Sequence, residues 1–446
     1  MHKPFEIQCT HFTADGKGAF RIGKKNYALK NLIPGEKALV TLSSHDQPVL
    51  VKYVSKAKTR IDVPCPQFEN CGGCQLLHLS PQGQQDFKTQ QVRRCFASTK
   101  AMFKQPIPTC IMQEDPWYYR NKVQLPVSCS RRGEILIGLY EQGSLKVIEK
   151  DDCLIQHRLT TKVLQVIRDL IKRYKVSGFN WQTHKGQLKY LLLRYGFTTN
   201  ELMLVIVTNG PSFPYHREWT RELTRAIPEL VTIVQNINLR KDHLVLDRQQ
   251  KIWHGKGYIA DYIGDIKFLI SPNSFYQINP PQVKRLYDCV KEFARLDGRQ
   301  IVIDAYCGVG TIGLYLARQA KKVYGVELVA PAIQDAIKNA KLNAIHNASF
   351  QVGDASAYMV QLAKKHMHVD VVIVDPPRAG CTPELLQAVL KLAPERLIYV
   401  SCNIETQARD LAFFQKSPYR VTASQSFDLF PQTYHIENVL LLEKAH

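Results

Sequence analysis

With 446 residues, 45% hydrophobic and 22% charged, the chain has the make-up of a folded protein large enough for two to four domains. It contains no apolar run of the roughly 18 residues that a membrane span needs. Its first residues lack a signal peptide's charged start, apolar centre and cleavage site, so a cytoplasmic protein without a membrane partner is expected. Lys and Arg number 59 against 39 Asp and Glu, a net charge of +20, which draws polyanions and makes nucleic acid the first partner to consider.

In chain order, residues 1–58 read as a small β module. "GAFRIGKKNYALKNLIPGEKALVTL" alternates short apolar runs with Gly and Pro turns, as a small barrel does. The first 60 residues hold 11 Lys and Arg against 4 Asp and Glu, which suits RNA binding; a hairpin appendage with solvated lysines is the plainer reading. Next comes "PCPQFENCGGCQLLH", where Cys65, Cys71 and Cys74 crowd together around two glycines. Thiols this close in a cytoplasmic chain point to metal rather than to disulfides. Three thiols want a fourth ligand, for which Cys153 and His78 are the candidates; zinc and an iron–sulfur cluster both suit such a set. Residues 59–265 otherwise mix helix and strand patterns. "PWYYRNKVQLPV" and "HKGQLKYLLLRYGF" interleave aromatic and basic residues, which fits either an RNA-facing surface or ordinary amphipathic strands.

From 266 to 446 the pattern becomes regular. Five apolar runs, from "RQIVIDAYCG" to "RLIYVSC", alternate with helical stretches, implying βα units and a mostly parallel, doubly wound sheet. "YRVTASQSFDLF" and "HIENVLLLEK" follow with no helix between them and are expected to be antiparallel neighbours. The first run leads into "DAYCGVGTIG", whose Gly308, Gly310 and Gly313 allow close backbone approach to a ligand at a helix N-terminus. Glu327, ending the next run, can accept from ribose hydroxyls. Both features fit a nicotinamide cofactor as well as S-adenosylmethionine. Asp304, placed to anchor a cationic amino-acid tail, and the stiff "DPPR" after the fourth strand, Asp375 to Arg378, favour S-adenosylmethionine.

The fifth run stops at Cys402, and chemistry in open α/β sheets collects where strands end. Cys402 together with Glu437 suggests covalent catalysis with a separate base. Uracil C5 is a poor nucleophile; thiolate addition at C6 makes it enolate-like, and a base must later remove the C5 proton. Two rivals remain open at this stage: a nicotinamide-dependent oxidoreductase and a non-catalytic RNA-binding assembly factor.

Nearly the whole chain resembles the uracil-C5 RNA methyltransferases that carry an iron–sulfur cluster. "DGKGAF" and "LIPGEKALV" resemble the TRAM module, an RNA-binding β-barrel, and "CPQFENCGGCQLLH" resembles the cluster motif. The resemblance implies a [4Fe–4S] cluster on Cys65, Cys71, Cys74 and Cys153. "SPNSFYQINP", "DAYCGVGTIGL", "VGDA" and "DPPR" imply that Gln277, Tyr306, Thr311, Glu327, Asp354 and Asp375 contact S-adenosylmethionine. "YVSCN" and "HIENV" imply Cys402 as nucleophile and Glu437 as base. The implied architecture is a C-terminal Rossmann-like α/β methyltransferase domain (266–446), an α+β central domain (59–265) and an N-terminal TRAM- or OB-like barrel (1–58). The implied protein is a monomer that acts on 23S rRNA, with the tRNA T-loop second. One departure is Ile404, where the family usually has proline; its absence would loosen the loop after Cys402.

Overall fold

The structure, a computed structural model, describes residues 3–130, 134–149 and 152–444. At the N-terminus, Phe5–Gln8, Lys37–Leu42 and Pro48–Ser55 form one antiparallel sheet; His11–Phe12, Gly18–Ile22 and Lys25–Leu29 form another. The two share a core built on Ile7, Cys9, Phe20, Leu32, Ala38 and Val40. The expected small barrel is therefore two separately hydrogen-bonded sheets around one core. Gly23 and Gly35, both at positive φ, turn these short strands back on themselves. Glu36, fully buried, accepts from Arg60 Nε at 2.6 Å and Nη2 at 2.7 Å, and from the Ile33 and Ala57 N–H groups, and so ties the module to the next segment.

A seven-stranded sheet follows, in the order Gln250–His254, Leu230–Ile237, Leu202–Thr208, Leu188–Tyr195, Lys122–Cys129, Ile135–Tyr140 and Val147–Glu149. Helices Leu159–Tyr174 and His216–Ala226 cover one face. Strand Leu188–Tyr195 is buried along its whole length. Lys189 within it donates to the Asn238 and Arg240 carbonyls and lies over the Phe179 ring. The basic–aromatic interleaving of "QLKYLLLRY" is thus core packing, not an RNA-facing surface.

The C-terminal sheet contains β1 (Ile301–Ala305), β2 (Lys322–Glu327), β3 (Ala348–Val352), β4 (Val371–Val374), β5 (Arg396–Ser401), β6 (Tyr419–Phe427) and β7 (Glu437–Lys444). Their order is β3-β2-β1-β4-β5-β7-β6; the first five are parallel, and β7 runs antiparallel to both its neighbours. Strand order reverses between β1 and β4, the switch point beyond which ligands bind in such sheets. The last strand therefore slots between β5 and β6, pairing with the strand that leads to Cys402 as well as with β6. Helix α1 (Pro81–Cys95), capped by the Ser80 side chain, packs its Val92 into the core of this sheet. The chain after it runs along β6, with Phe103 bridged to Val421 and Ile111 to Phe427.

Candidate active site

Backbone register brings the nucleophile and base candidates together. Between β5 and β7, Arg396 lies opposite Glu443 and Ser401 opposite Asn438. Cys402 stands just past the end of β5 and Glu437 at the start of β7, each next to that last pair. Cys402 is partly exposed, whereas Glu437 is buried. Burial, then Glu437 and Asp375, push the Cys402 thiol up to about 11, while Arg378 opposes them. Burial and Asp375 likewise raise the Glu437 carboxyl well above its ordinary range, again opposed by Arg378. Asp375 and Arg378 thus act in opposite directions on both Cys402 and Glu437. Cys402 opens into a cavity also lined by Arg378, Asn403, Tyr434 and His435, together with Ala14 and Asp15 of the N-terminal module.

The loop after Cys402 is held without proline. Ile404 is the first residue of helix α2 (Ile404–Phe413), a position whose N–H has no intrahelical partner in any case. Asn403 caps the helix by accepting from Glu405 N, and its Nδ2 donates to the Arg378 carbonyl at 2.9 Å. Ser401 Oγ binds both the N–H and the carbonyl of Asn403. These bonds fix the loop that was expected to loosen, and they tie it to the DPPR loop.

The glycine loop proposed to face the cofactor follows β1, at the switch point. Tyr306, Gly308 and Gly310 have φ of 67°, 53° and 80°, so the backbone turns sharply between β1 and the helix Thr311–Ala317. Glu327 accepts from Gly308 N at 3.3 Å and Val329 N at 3.0 Å, bracing this loop from the end of β2. Thr311 Oγ1 accepts from Tyr287 at 2.8 Å. Asp354 is exposed after β3 and caps the next helix through Ala357 N. Asp375 follows β4, and desolvation pushes its carboxyl up to about 7. Gln277 lines a neighbouring cavity with Arg120, Lys122, Arg194 and the exposed Phe275. Asp304 is buried beneath the loop: its Oδ2 accepts from Gly313 N at 2.8 Å and braces the turn, while its Oδ1 is buried without a hydrogen-bond partner. A Cβ on Gly313 would stand 2.9 Å from that carboxylate, which explains the third glycine.

The four motif cysteines share one corner. Burial, Cys153, Cys71 and Cys65 all push the Cys74 thiol up, to about 12, against an opposing effect of Arg120. Arg120 Nε is buried there without a hydrogen-bond partner. Cys71 is bridged to Glu141 of the overlying hairpin. His78, the other ligand candidate, is fully buried against Phe68 and feels Arg60 and Glu36. Among the described residues, no group of three or more His, Cys, Asp or Glu is arranged to hold a single metal ion.

The sequence placed Arg378 with Asp375 beside a cofactor's reactive end; what it did not show is that Arg378 also acts on Cys402 and Glu437. Sequence reasoning missed α1 and its buried Lys88, described below.

Comparison with known proteins agrees with this geometry. A Halalkalibacterium halodurans protein named as an uncharacterized RNA methyltransferase is 39% identical over 98% of this chain and 96% of its own length. A Bacillus cereus protein with the same description is 39% identical over 97% and 95%. The crystal structure of Pyrococcus abyssi tRNA (uracil-54, C5)-methyltransferase in complex with S-adenosyl-L-homocysteine superposes with a TM-score of 0.79 and 27% identity, covering 98% of this chain and 100% of that one. Residues 88–445 match the family described as tRNA (Uracil-5-)-methyltransferase. The chain belongs to that family and is an S-adenosylmethionine-dependent RNA methyltransferase.

Proposed function

We propose that the protein methylates C5 of a uridine in 23S rRNA, with Cys402 as nucleophile and Glu437 as base. The observation that carries this reading is the end of the β5–β7 register at Ser401 and Asn438, next to which the Cys402 thiol and the buried Glu437 carboxyl feel each other electrostatically. S-adenosylmethionine, when bound, supplies an electrophilic methyl group. The sharply turned Tyr306–Gly310 backbone, with Glu327 at its edge, suits such a ligand, and Gln277, Tyr306, Thr311, Glu327, Asp354 and Asp375 would hold it. The Cys402 thiolate bonds to uracil C6, the C5–C6 π bond opens, and C5 takes the methyl group. Glu437 then takes the C5 proton, the C5–C6 double bond re-forms, and the thiolate leaves. Arg378 favours the anionic forms of both residues, lowering the cost of generating the thiolate.

The N-terminal sheets would act as a TRAM-like RNA-binding module, and Cys65, Cys71, Cys74 and Cys153 would hold a [4Fe–4S] cluster. The mutual influence of the four thiols and the unpartnered Arg120 Nε support a shared anionic group at that corner. A single tetrahedral ion would gather its thiolates to within about 4 Å of one another. A four-iron cluster takes one thiolate on each iron and spreads them further. Methyl transfer needs no electron, so the cluster's contribution would be structural or RNA-facing. The protein is proposed to work as a cytoplasmic monomer.

Ribosomal RNA comes first on the cysteine motif and the N-terminal module. The T-loop of tRNA is the second reading, supported by the likeness to the P. abyssi enzyme over nearly the whole chain. Incubation with methyl-labelled S-adenosylmethionine and either unmodified 23S rRNA or unmodified tRNA distinguishes them. 5-Methyluridine appearing in rRNA supports the first reading, and its appearance in tRNA alone supports the second. Label in neither RNA contradicts both.

A further inference from the structure

Residues 428–436, between β6 and β7, have no regular structure, yet most of them are buried. Buried irregular backbone needs partners for its polar groups, and these partners come from distant parts of the chain. Gln84 exchanges hydrogen bonds with Gln432; Tyr119 donates to the Pro431 carbonyl, and Asn279 to that of Leu429. At the centre is Lys88 of α1, fully buried. Its Nζ donates to Asp428 Oδ1 at 2.5 Å, to the His435 carbonyl at 2.9 Å and to the Phe430 carbonyl at 3.4 Å. An ammonium has three donors, and here all three are used on this one loop.

The loop matters because of what it carries. Tyr434, His435 and Ile436 line the cavity containing Cys402, and the next residue is Glu437. Lys88 joins the start of the loop at Asp428 to its end at His435, two residues before the base. We propose that Lys88 is a positioning residue: by clamping Asp428 to the His435 carbonyl, it sets Glu437 beside Cys402. This rests on the reading of Glu437 as the base. Its consequence is specific to one step. The base acts only after methyl transfer, so a displaced Glu437 leaves the methylated uridine bonded to Cys402 and slows release, with little effect on RNA binding.

Lys88→Met alone strands a buried carboxylate and endangers the fold. Lys88→Met combined with Asp428→Asn removes both charges while the Asn side chain stays able to accept a hydrogen bond, but nothing then reaches the His435 carbonyl. The double variant, the wild type and Glu437→Gln as stalled control are given unmodified RNA and methyl-labelled S-adenosylmethionine. Thermal melting, RNA KM, turnover and denaturation-resistant labelled protein–RNA adduct are read in parallel. The expected result is wild-type melting, a KM within twofold, turnover reduced at least tenfold and accumulated adduct. Wild-type melting with turnover within twofold and no adduct overturns the proposal. If the double variant does not melt cooperatively, Lys88→Arg takes its place: it keeps the charge, but a planar fork cannot match three divergent acceptors. Slow release with adduct is expected of it, and wild-type release overturns the proposal. A wild type that makes neither product nor adduct overturns the reading of the site itself, and this inference with it.

Discussion

Ser401 pairs with Asn438 at the end of the β5–β7 register, and the residues next to that pair are Cys402 and Glu437. Both side chains are raised in pKa by burial and by the carboxylates around them. Their reactive forms, thiolate and carboxylate, are therefore both gained as pH rises.

The first prediction concerns that pH dependence. With the thiol near 11, the thiolate fraction at neutral pH changes about tenfold per pH unit. Single-turnover adduct formation should climb steadily between about pH 6 and 9. Glu437→Gln removes one carboxylate that raises the thiol, so its adduct should form at lower pH than the wild type's and fail to resolve. A flat rate across this range, measured by rapid quench, would contradict the coupling.

Gly310 has φ of 80°, and a Cβ there would meet the Phe350 ring at 2.9 Å. Gly310→Ala adds about 1–2 kcal/mol of left-handed strain to that clash. Binding of S-adenosylhomocysteine, followed by calorimetry, should weaken by at least tenfold. Wild-type affinity would mean that this loop does not hold the cofactor.

Arg60 and Glu36 bind the N-terminal sheets to the cysteine segment. Arg60→Ala leaves the Glu36 carboxylate buried without its guanidinium and should destabilise the protein by about 3–5 kcal/mol. Despite its burial, Glu36 is held below the ordinary glutamate range by Arg60 and two backbone N–H groups. Its contribution is therefore present above about pH 4.3 and lost as pH falls through its lower folded value. Denaturant melts of wild type and Arg60→Ala should converge as the solution is acidified. A gap independent of pH would rule out this pair as the source.

Protein purified without oxygen should show the visible absorbance of an iron–sulfur centre, with about four irons per chain expected of a tetrathiolate cluster. Cys74→Ser should lose it, and chelation with an oxidant should bleach the wild type. A colourless, iron-free protein that still methylates RNA would remove the cluster from the account.

Much of the candidate site was legible because its residues stand at strand ends, where the runs "RLIYVS" and "VVIV" break into "CN" and "DPPR". Other features were hidden for physical reasons. No residue in "ENVLLLEK" states which strands it pairs with, so its insertion between β5 and β6 could not be read from its apolar run. Helix α1 buries Gln84, Lys88 and Gln91, and a helix with polar side chains on its buried face shows little apolar periodicity. A carboxylate before a glycine loop has two possible uses, and the sequence did not show that Asp304 braces the turn through the Gly313 N–H. In Leu188–Tyr195, residues with an RNA-binding composition became core because Lys189 found carbonyls and a ring inside the fold.

The central claim is that Cys402 bonds to uracil C6, and a covalent trap tests it most directly. RNA substituted with 5-fluorouridine is mixed with the protein and S-adenosylmethionine, denatured, digested and mapped by mass spectrometry. Fluorine at C5 cannot leave as a proton, so the account predicts a stable methylated adduct on Cys402 and none with Cys402→Ala. An adduct on another residue, or methylation of unmodified RNA by Cys402→Ala at the wild-type rate, would contradict it.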